Sequence, residues 1–279
     1  MRFTLIPHVL AAALIALSIS SRASAYQEKG EERVDYTAYT LRPWELSLGP
    51  FKAEAGIPGG LMLGTYVPTW AFGPLVGVTI PTGFVKLRDP FRGPVTASAR
   101  VGVVYFDGAT LAAEATQNNG SKAGLLVLPL EAAVSARYHR YVSQSLLLTY
   151  VFVSAGGKEA SDTSIRGAAG VSNLSISTMR EVRLTRVLAL TLLARLMVHQ
   201  GNARVTAHFS EGSTTIDADL GARPRRHEFV ACAIPGVAFS WEYVNLHLGL
   251  GYGNWWLPIV DLPLTTPQIV PDLSFYVRF

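Results

Sequence analysis

The last nine residues, Pro271-Asp272-Leu273-Ser274-Phe275-Tyr276-Val277-Arg278-Phe279, place a large apolar side chain at every second position. Successive side chains of a β-strand point to opposite faces, so Leu273, Phe275, Val277 and Phe279 share one face and Ser274, Tyr276 and Arg278 the other. A strand at the end of a sequence has no following loop to cover its edge. It must pair with something, and pairing with the first strand of the chain would close a barrel.

This pattern resembles the C-terminal assembly signal of bacterial outer-membrane β-barrel proteins. The resemblance implies residence in the outer membrane of a Gram-negative bacterium. Phe275, Val277 and Phe279 would then carry the signal read by the barrel assembly machinery, and outer-membrane lipids would surround the folded chain. The other end agrees. Arg2 opens a basic start, Leu5 to Ile19 is mostly apolar, and Ala23-Ser24-Ala25 is a small-x-small cleavage pattern. Residues 1–25 read as a cleaved signal peptide and 26–279 as one transmembrane β-barrel domain. The apolar run is shorter than the roughly 20 residues a spanning helix needs, and with no cysteine near the junction lipid attachment is not expected.

Composition excludes several classes. Without Arg2 and Arg22 the basic and acidic side chains nearly balance, so the charge does not argue for a nucleic-acid partner. Cys232 is the only cysteine, which rules out an intramolecular disulfide and a thiolate metal cluster. The chain is 49% hydrophobic and 16% charged, yet no uncharged apolar run long enough for a spanning helix follows the signal. In hydrocarbon every backbone polar group must be paired within the protein, which leaves a closed barrel as the spanning solution.

The expected fold is all-β, an antiparallel up-and-down barrel. The two-residue period places strands at about 34–41, 44–51, 61–68, 73–82, 94–106, 122–137, 143–154, 169–180, 187–200, 226–240, 244–256 and 271–279. That makes twelve. Long connections at 107–121, 155–168, 201–225 and 257–270 alternate with short ones at 138–142, 181–186 and 241–243, as outer loops alternate with periplasmic turns. Pro43, Pro50, Pro58, Pro68, Pro74, Pro81, Pro90 and Pro94 crowd the N-terminal third, and a proline removes a ladder donor, so ten strands with an irregular N-terminal segment is the alternative. Aromatic residues fall at the ends of these strands: Tyr138, Tyr141, Trp241 and Tyr243 at one side, Trp70, Phe72, Tyr105, Tyr150, Phe152, Tyr252 and Trp255 at the other. Two interfacial girdles are expected.

The less apolar face should line the lumen, through Glu45, Arg100, Glu131, Arg195, His199, His247, Tyr276 and Arg278 among others, with glycines such as Gly49, Gly64, Gly102 and Gly249 leaving room. Opposed arginines and carboxylates could orient solute in a narrow pore. They could equally be a salt-bridge network that fills the barrel. Twelve strands lie between the packed eight-stranded barrel and the sixteen-stranded channel, so strand number leaves pore and plug both open.

Other constellations are weaker. His208-Phe209-Ser210 is similar to the His-x-Ser pair of the outer-membrane phospholipase A family, but the match covers three residues, and the next asparagine, Asn245, falls on a lumen position far from the outer loops. Asp217, Asp219 and Glu211 lack the ligand spacing of a calcium loop. Arg223, Arg225 and Arg226 sit near the expected outer rim, where guanidinium groups could meet lipopolysaccharide phosphates. The histidines are scattered over different elements, so no metal or other cofactor is expected. The leading expectation is a porin-like channel for small polar solutes, not an enzyme. The alternatives are a closed structural or surface-interaction barrel and, last, a lipid-modifying enzyme. Nearly every strand offers an apolar outer face, so the pattern singles out no oligomeric contact.

Overall fold

A computed structural model describes residues 34–70, 80–89, 94–107, 122–139, 141–158, 165–185, 187–200, 204–209, 215–216, 230–241, 243–256 and 262–279. The expected signal peptide, residues 1–25, lies outside them. Fourteen strands form in chain order: β1 (Leu46–Leu48), β2 (Lys52–Ile57), β3 (Leu61–Tyr66), β4 (Thr82–Arg88), β5 (Val95–Asp107), β6 (Lys122–His139), β7 (Val142–Lys158), β8 (Ile165–Arg183), β9 (Leu188–Gln200), β10 (Arg204–Phe209), β11 (Thr215–Ile216), β12 (Ala231–Ser240), β13 (Val244–Trp256) and β14 (Leu262–Arg278).

Twelve of them make a closed antiparallel barrel. β1 to β9 pair consecutively, β9 pairs with β12, and β12, β13 and β14 complete the ring back to β1. β10 and β11 stand outside the ring. β10 extends the wall by pairing with Ile165–Gly170, the part of β8 that β9 does not reach, and β11 pairs with β10.

The strand count agrees with the two-residue period, but three placements differ, the last strand beginning at Leu262 and not at 271. Residues 34–41 form turns and not a strand, and Lys52–Ile57 supplies the missing one. The strand expected at 73–82 is instead Thr82–Arg88; residues 71–79 are outside the described set. The prolines explain the boundaries. Pro43, Pro50, Pro58, Pro68, Pro81 and Pro94 all fall outside strands, so the N-terminal wall is cut into short pieces without any of them interrupting a ladder. β1 to β4 hold three to seven residues each, whereas β6 and β8 hold 18 and 19.

One face of the wall is an apolar belt. Leu48, Leu63, Leu87, Val101, Leu130, Leu148, Leu192, Leu250, Leu273 and Phe275 are all exposed and all point outward. Water would penalise a patch of this extent, and bilayer hydrocarbon would not. Trp44, Tyr141, Trp241 and Tyr243 are exposed at the end carrying the short turns, and Trp70, Tyr105 and Tyr252 toward the opposite end, the arrangement expected of two interfacial girdles.

The inward face is mixed. Met62, Tyr66, Phe84, Val104, Val127 and Val151 form one buried cluster with Val34 and Leu41 from the N-terminal segment. Met179, Leu193, Cys232, Ile234 and Val270 form a second, against which Tyr36 packs. A fully buried side chain of this size is worth about 1.5–3 kcal/mol. The lumen therefore holds a hydrophobic core of its own.

Candidate functional site

Residues 34–41 occupy the lumen as a plug. Ala38 has no exposed surface, and its N–H donates to Ser135 Oγ at 2.7 Å; Ser135 in turn shares a hydrogen bond with Ser145 Oγ at 2.7 Å. From β4, two strands further round the wall, Lys86 Nζ donates to Thr37 O at 2.7 Å and to Val34 O at 3.3 Å. Lys52 Nζ meets Asp35 Oδ1 at 2.6 Å. These contacts give several of the segment's polar groups the partners that burial requires, while Thr40 Oγ1 has none among the described residues.

Tyr36 sits at the turn of the plug with φ of 58°, the left-handed region that a non-glycine residue enters at a cost. Its ring lies under the Arg195 guanidinium, 4.9 Å from ring centre to Cζ. Burial pushes the Tyr36 hydroxyl up to about 12, against the opposing pull of Arg195.

Charged side chains line the wall around the plug. Arg100 donates to Tyr66 OH at 3.2 Å, lies 4.0 Å from Glu131 and stacks over the Phe84 ring at 5.1 Å. Arg278 reaches Glu45 at 3.9 Å and donates to Tyr276 OH at 3.2 Å, joining the last strand to the residue before the first. His247, 4% exposed, shares a 2.9 Å hydrogen bond between Nε2 and Thr191 Oγ1, and its Nδ1 stands 3.6 Å from Asp272 Oδ2. Gly236 makes this reach possible: a Cβ there would stand 2.8 Å from Thr191 Oγ1 and 2.9 Å from His247 Nε2. The order hydroxyl, imidazole, carboxylate is that of a general-base relay. Thr191 is buried, however, and the arrangement fixes β9, β13 and β14 to one another across the wall.

Above the plug lies a cavity of about 450 Å³. Its walls carry three cations, Lys52, Arg100 and Arg195, and four carboxylates, Asp35, Glu54, Glu131 and Asp272, set among Tyr66, Leu147, Val151 and Ile234. The pocket is amphipathic, not aqueous. Of its charged residues, Asp35, Lys52, Glu54 and Asp272 escape a reading that starts from the candidate strands: Asp35 lies on the segment read as a strand, the strand carrying Lys52 and Glu54 is not anticipated, and Asp272 is passed over although it shares the parity of Ser274 and Tyr276 on the expected last strand. The alternation Lys52-Ala53-Glu54-Ala55 was the available signal.

Of the residues expected to line the lumen, Glu45, Arg100, Glu131, Arg195, His247, Tyr276 and Arg278 lie on the inward side. His199 does not. Ser175 pairs with Met197 but Leu174 pairs with His199, so β9 carries one extra residue at Val198, and this bulge turns His199 to the exposed face. Phe275 and Phe279 are exposed on the outer face, and Val277 is half-buried between Leu48 and Val244. Arg223, Arg225 and Arg226 lie outside the described residues, as does Ser210. The backbone of His208 pairs with Arg166 on the extension beyond the ring, while Asn245 pairs beside the short turn at the other end. Among the described residues no group of three or more metal-ligating side chains converges.

Fold and lumen together define an antiparallel twelve-stranded β-barrel with an apolar outer belt and an interior filled by its own chain. No family model matches the sequence, and no curated protein does. Among solved structures it is similar to CdiB from Escherichia coli, with 7% identity over 86% of this chain and a TM-score of 0.26. The chain spans 64% of the length of that protein.

Proposed function

We propose that the protein is a closed outer-membrane barrel, a binding or surface-interaction protein whose lumen is a chamber and not an open conduit. The observation that carries this reading is the plug. Residues 34–41 are held inside the ring by Ser135, Lys86 and Lys52, and apolar clusters pack against them from both sides. A wall bearing Met62, Phe84, Val104, Val127 and Val151 is a poor lining for hydrated solutes, because an apolar constriction excludes water. The girdles, the belt and the alternating last strand support placement in an outer membrane, with lipid as the surrounding partner.

Planar-bilayer conductance of the refolded chain, with heat-modifiable gel mobility as the check of folding, tests the proposal. A folded barrel without conductance steps is expected, and stable open steps in the wild-type protein would overturn it. A second reading, passage of small polar solutes once the plug is displaced, draws on one observation: residues 34–41 make no strand pairing among the described residues. It requires a chain deleted for residues 26–41 to conduct steadily where the intact chain does not.

A further inference from the structure

The ring closes over a very short distance. β14 has 17 residues and pairs with β13 along most of its length, but it pairs with β1 only through Val277 and Arg278. β1 ends at Leu48, and the chain turns away into β2. Above that point the β1-facing edge of β14 has no strand partner among the described residues.

Backbone direction identifies the groups on that edge. Arg278 N donates to Tyr243 O on the β13 side, and Phe279 N donates to Leu46 O on the β1 side. Register with β13 is continuous from Val277 to Gln268, so the alternation carries upward and the amide and carbonyl of odd-numbered residues face the seam. Phe275 agrees, since a Cβ on Gly49 would stand 2.2 Å from its carbonyl oxygen. Pro271 is also odd-numbered. Its missing N–H falls where no partner strand stands among the described residues, a place in a sheet that accepts proline without loss.

The cavity reaches this gap. Its lining takes Asp272 and Ser274 from the inner face of β14, Leu273 and Phe275 from the outer face, and Phe51 and Lys52 from across the seam. Phe51, Leu273 and Phe275 are exposed within the apolar belt, so bilayer hydrocarbon meets the opening. Behind this apolar lip come Lys52, Glu54, Arg100 and Asp272. Three cations interleaved with four carboxylates suit a group bearing both signs better than a simple anion. The volume lies within the range of about 300–1,000 Å³ usual for ligand sites.

We propose that the seam between β14 and the β1–β2 turn is a lateral port, through which the zwitterionic head group of a bilayer phospholipid enters the lumen cavity while its acyl chains stay against Phe51, Leu273 and Phe275. This rests on the closed-barrel reading, whose chamber it fills.

The test reconstitutes the folded chain in vesicles of phosphatidylethanolamine and phosphatidylglycerol. Each lipid in turn is doped with an analogue carrying a photoactivatable head group, and adducts are mapped by peptide mass spectrometry. With the phosphatidylethanolamine probe, adducts on the inward peptides containing Lys52, Arg100 and Asp272 are expected, and with the phosphatidylglycerol probe adducts at the girdles alone. Ser274→Trp, which narrows the port, should lower the inward adducts about tenfold and spare those at the girdles. Phe51→Trp serves the same purpose if Ser274→Trp fails to fold. Adducts confined to the girdles, equal inward labelling by both probes, or inward labelling unaffected by the tryptophan would each overturn the port. Conductance separates the two proposals: a conducting wild-type barrel defeats the closed chamber whatever the adducts, whereas a silent barrel labelled only at its girdles defeats the port alone.

Discussion

Lys86 Nζ stands 2.7 Å from Thr37 O, so a cation on the barrel wall holds the backbone of the segment that fills it. The same ammonium reaches Val34 O at 3.3 Å. Hydrogen bonds to charged groups contribute about 1.5–3 kcal/mol. Lys86→Met should therefore loosen the plug without opening the ring. Limited proteolysis should show new cleavage within residues 34–41, while the heat-modifiable mobility of the barrel stays as in the wild type. Continued protection of the segment would contradict this.

Ser135→Ala removes the acceptor for the buried Ala38 N–H. A buried donor left without a partner costs about 1–3 kcal/mol. Denaturant unfolding in detergent should shift to lower midpoint by a corresponding amount, and Ser145→Ala, which leaves the Ser135 bond to Ala38 in place, should shift it less.

Tyr36 adds a pH dependence. Its hydroxyl titrates near 10 in a released plug and is pushed up to about 12 in the lumen, so the docked form holds the proton more tightly. The contribution to docking is complete below about pH 10 and is lost as pH rises toward 12. Protease protection of the plug should fall across that window in the wild type, and much less in Tyr36→Phe. Parallel loss in both proteins would assign the effect elsewhere.

Thr191→Val keeps the shape of the side chain and deletes the hydroxyl that meets His247 Nε2. The imidazole is then left buried with one partner fewer, at a cost of about 1–3 kcal/mol. A fall in unfolding midpoint is expected. An unchanged midpoint would mean that the Thr191 to His247 bond does not brace the wall.

Gly49→Ala tests the closure of the ring. An added Cβ would stand 2.2 Å from Phe275 O and 3.2 Å from Tyr276 Cβ, which β1 can relieve only by moving from β14. Overpacking of this kind costs about 1–3 kcal/mol, and here it acts on the shortest pairing in the barrel. The heat-modifiable gel shift should occur at lower temperature than in the wild type.

The barrel was legible because membrane strands obey a two-residue period, and Arg100, Glu131 and Arg278 take their inward direction from that parity alone. The plug was not. Residues Val34 to Leu41 alternate like a strand, but a segment enclosed on all sides can bury side chains of both parities, as Thr37, Ala38, Tyr39 and Thr40 do. His199 escaped for a related reason. One extra residue in β9 inverts every later direction, and nothing in Leu196-Met197-Val198-His199 marks it. β14 runs nine residues above its expected start at Pro271. Pro263, Pro267 and Pro271 signal an interruption only where a partner strand needs their N–H. Twelve strands emerged because a strand wrongly placed at 34–41 offset one missed at 52–57.

The unequal height of the wall has a mechanical consequence for the membrane itself. Six residues of β3 extend about 20 Å along the strand, and tilt lowers that further, against an apolar band of about 25 Å in barrels of this kind. A bilayer around this wall would have to thin beside β1 to β4 to meet the protein, and beside β6 to β9 it would not. The lipids splayed and shortened along that flank would be the ones bordering the gap at β14, so the deformation would fall where the wall is weakest.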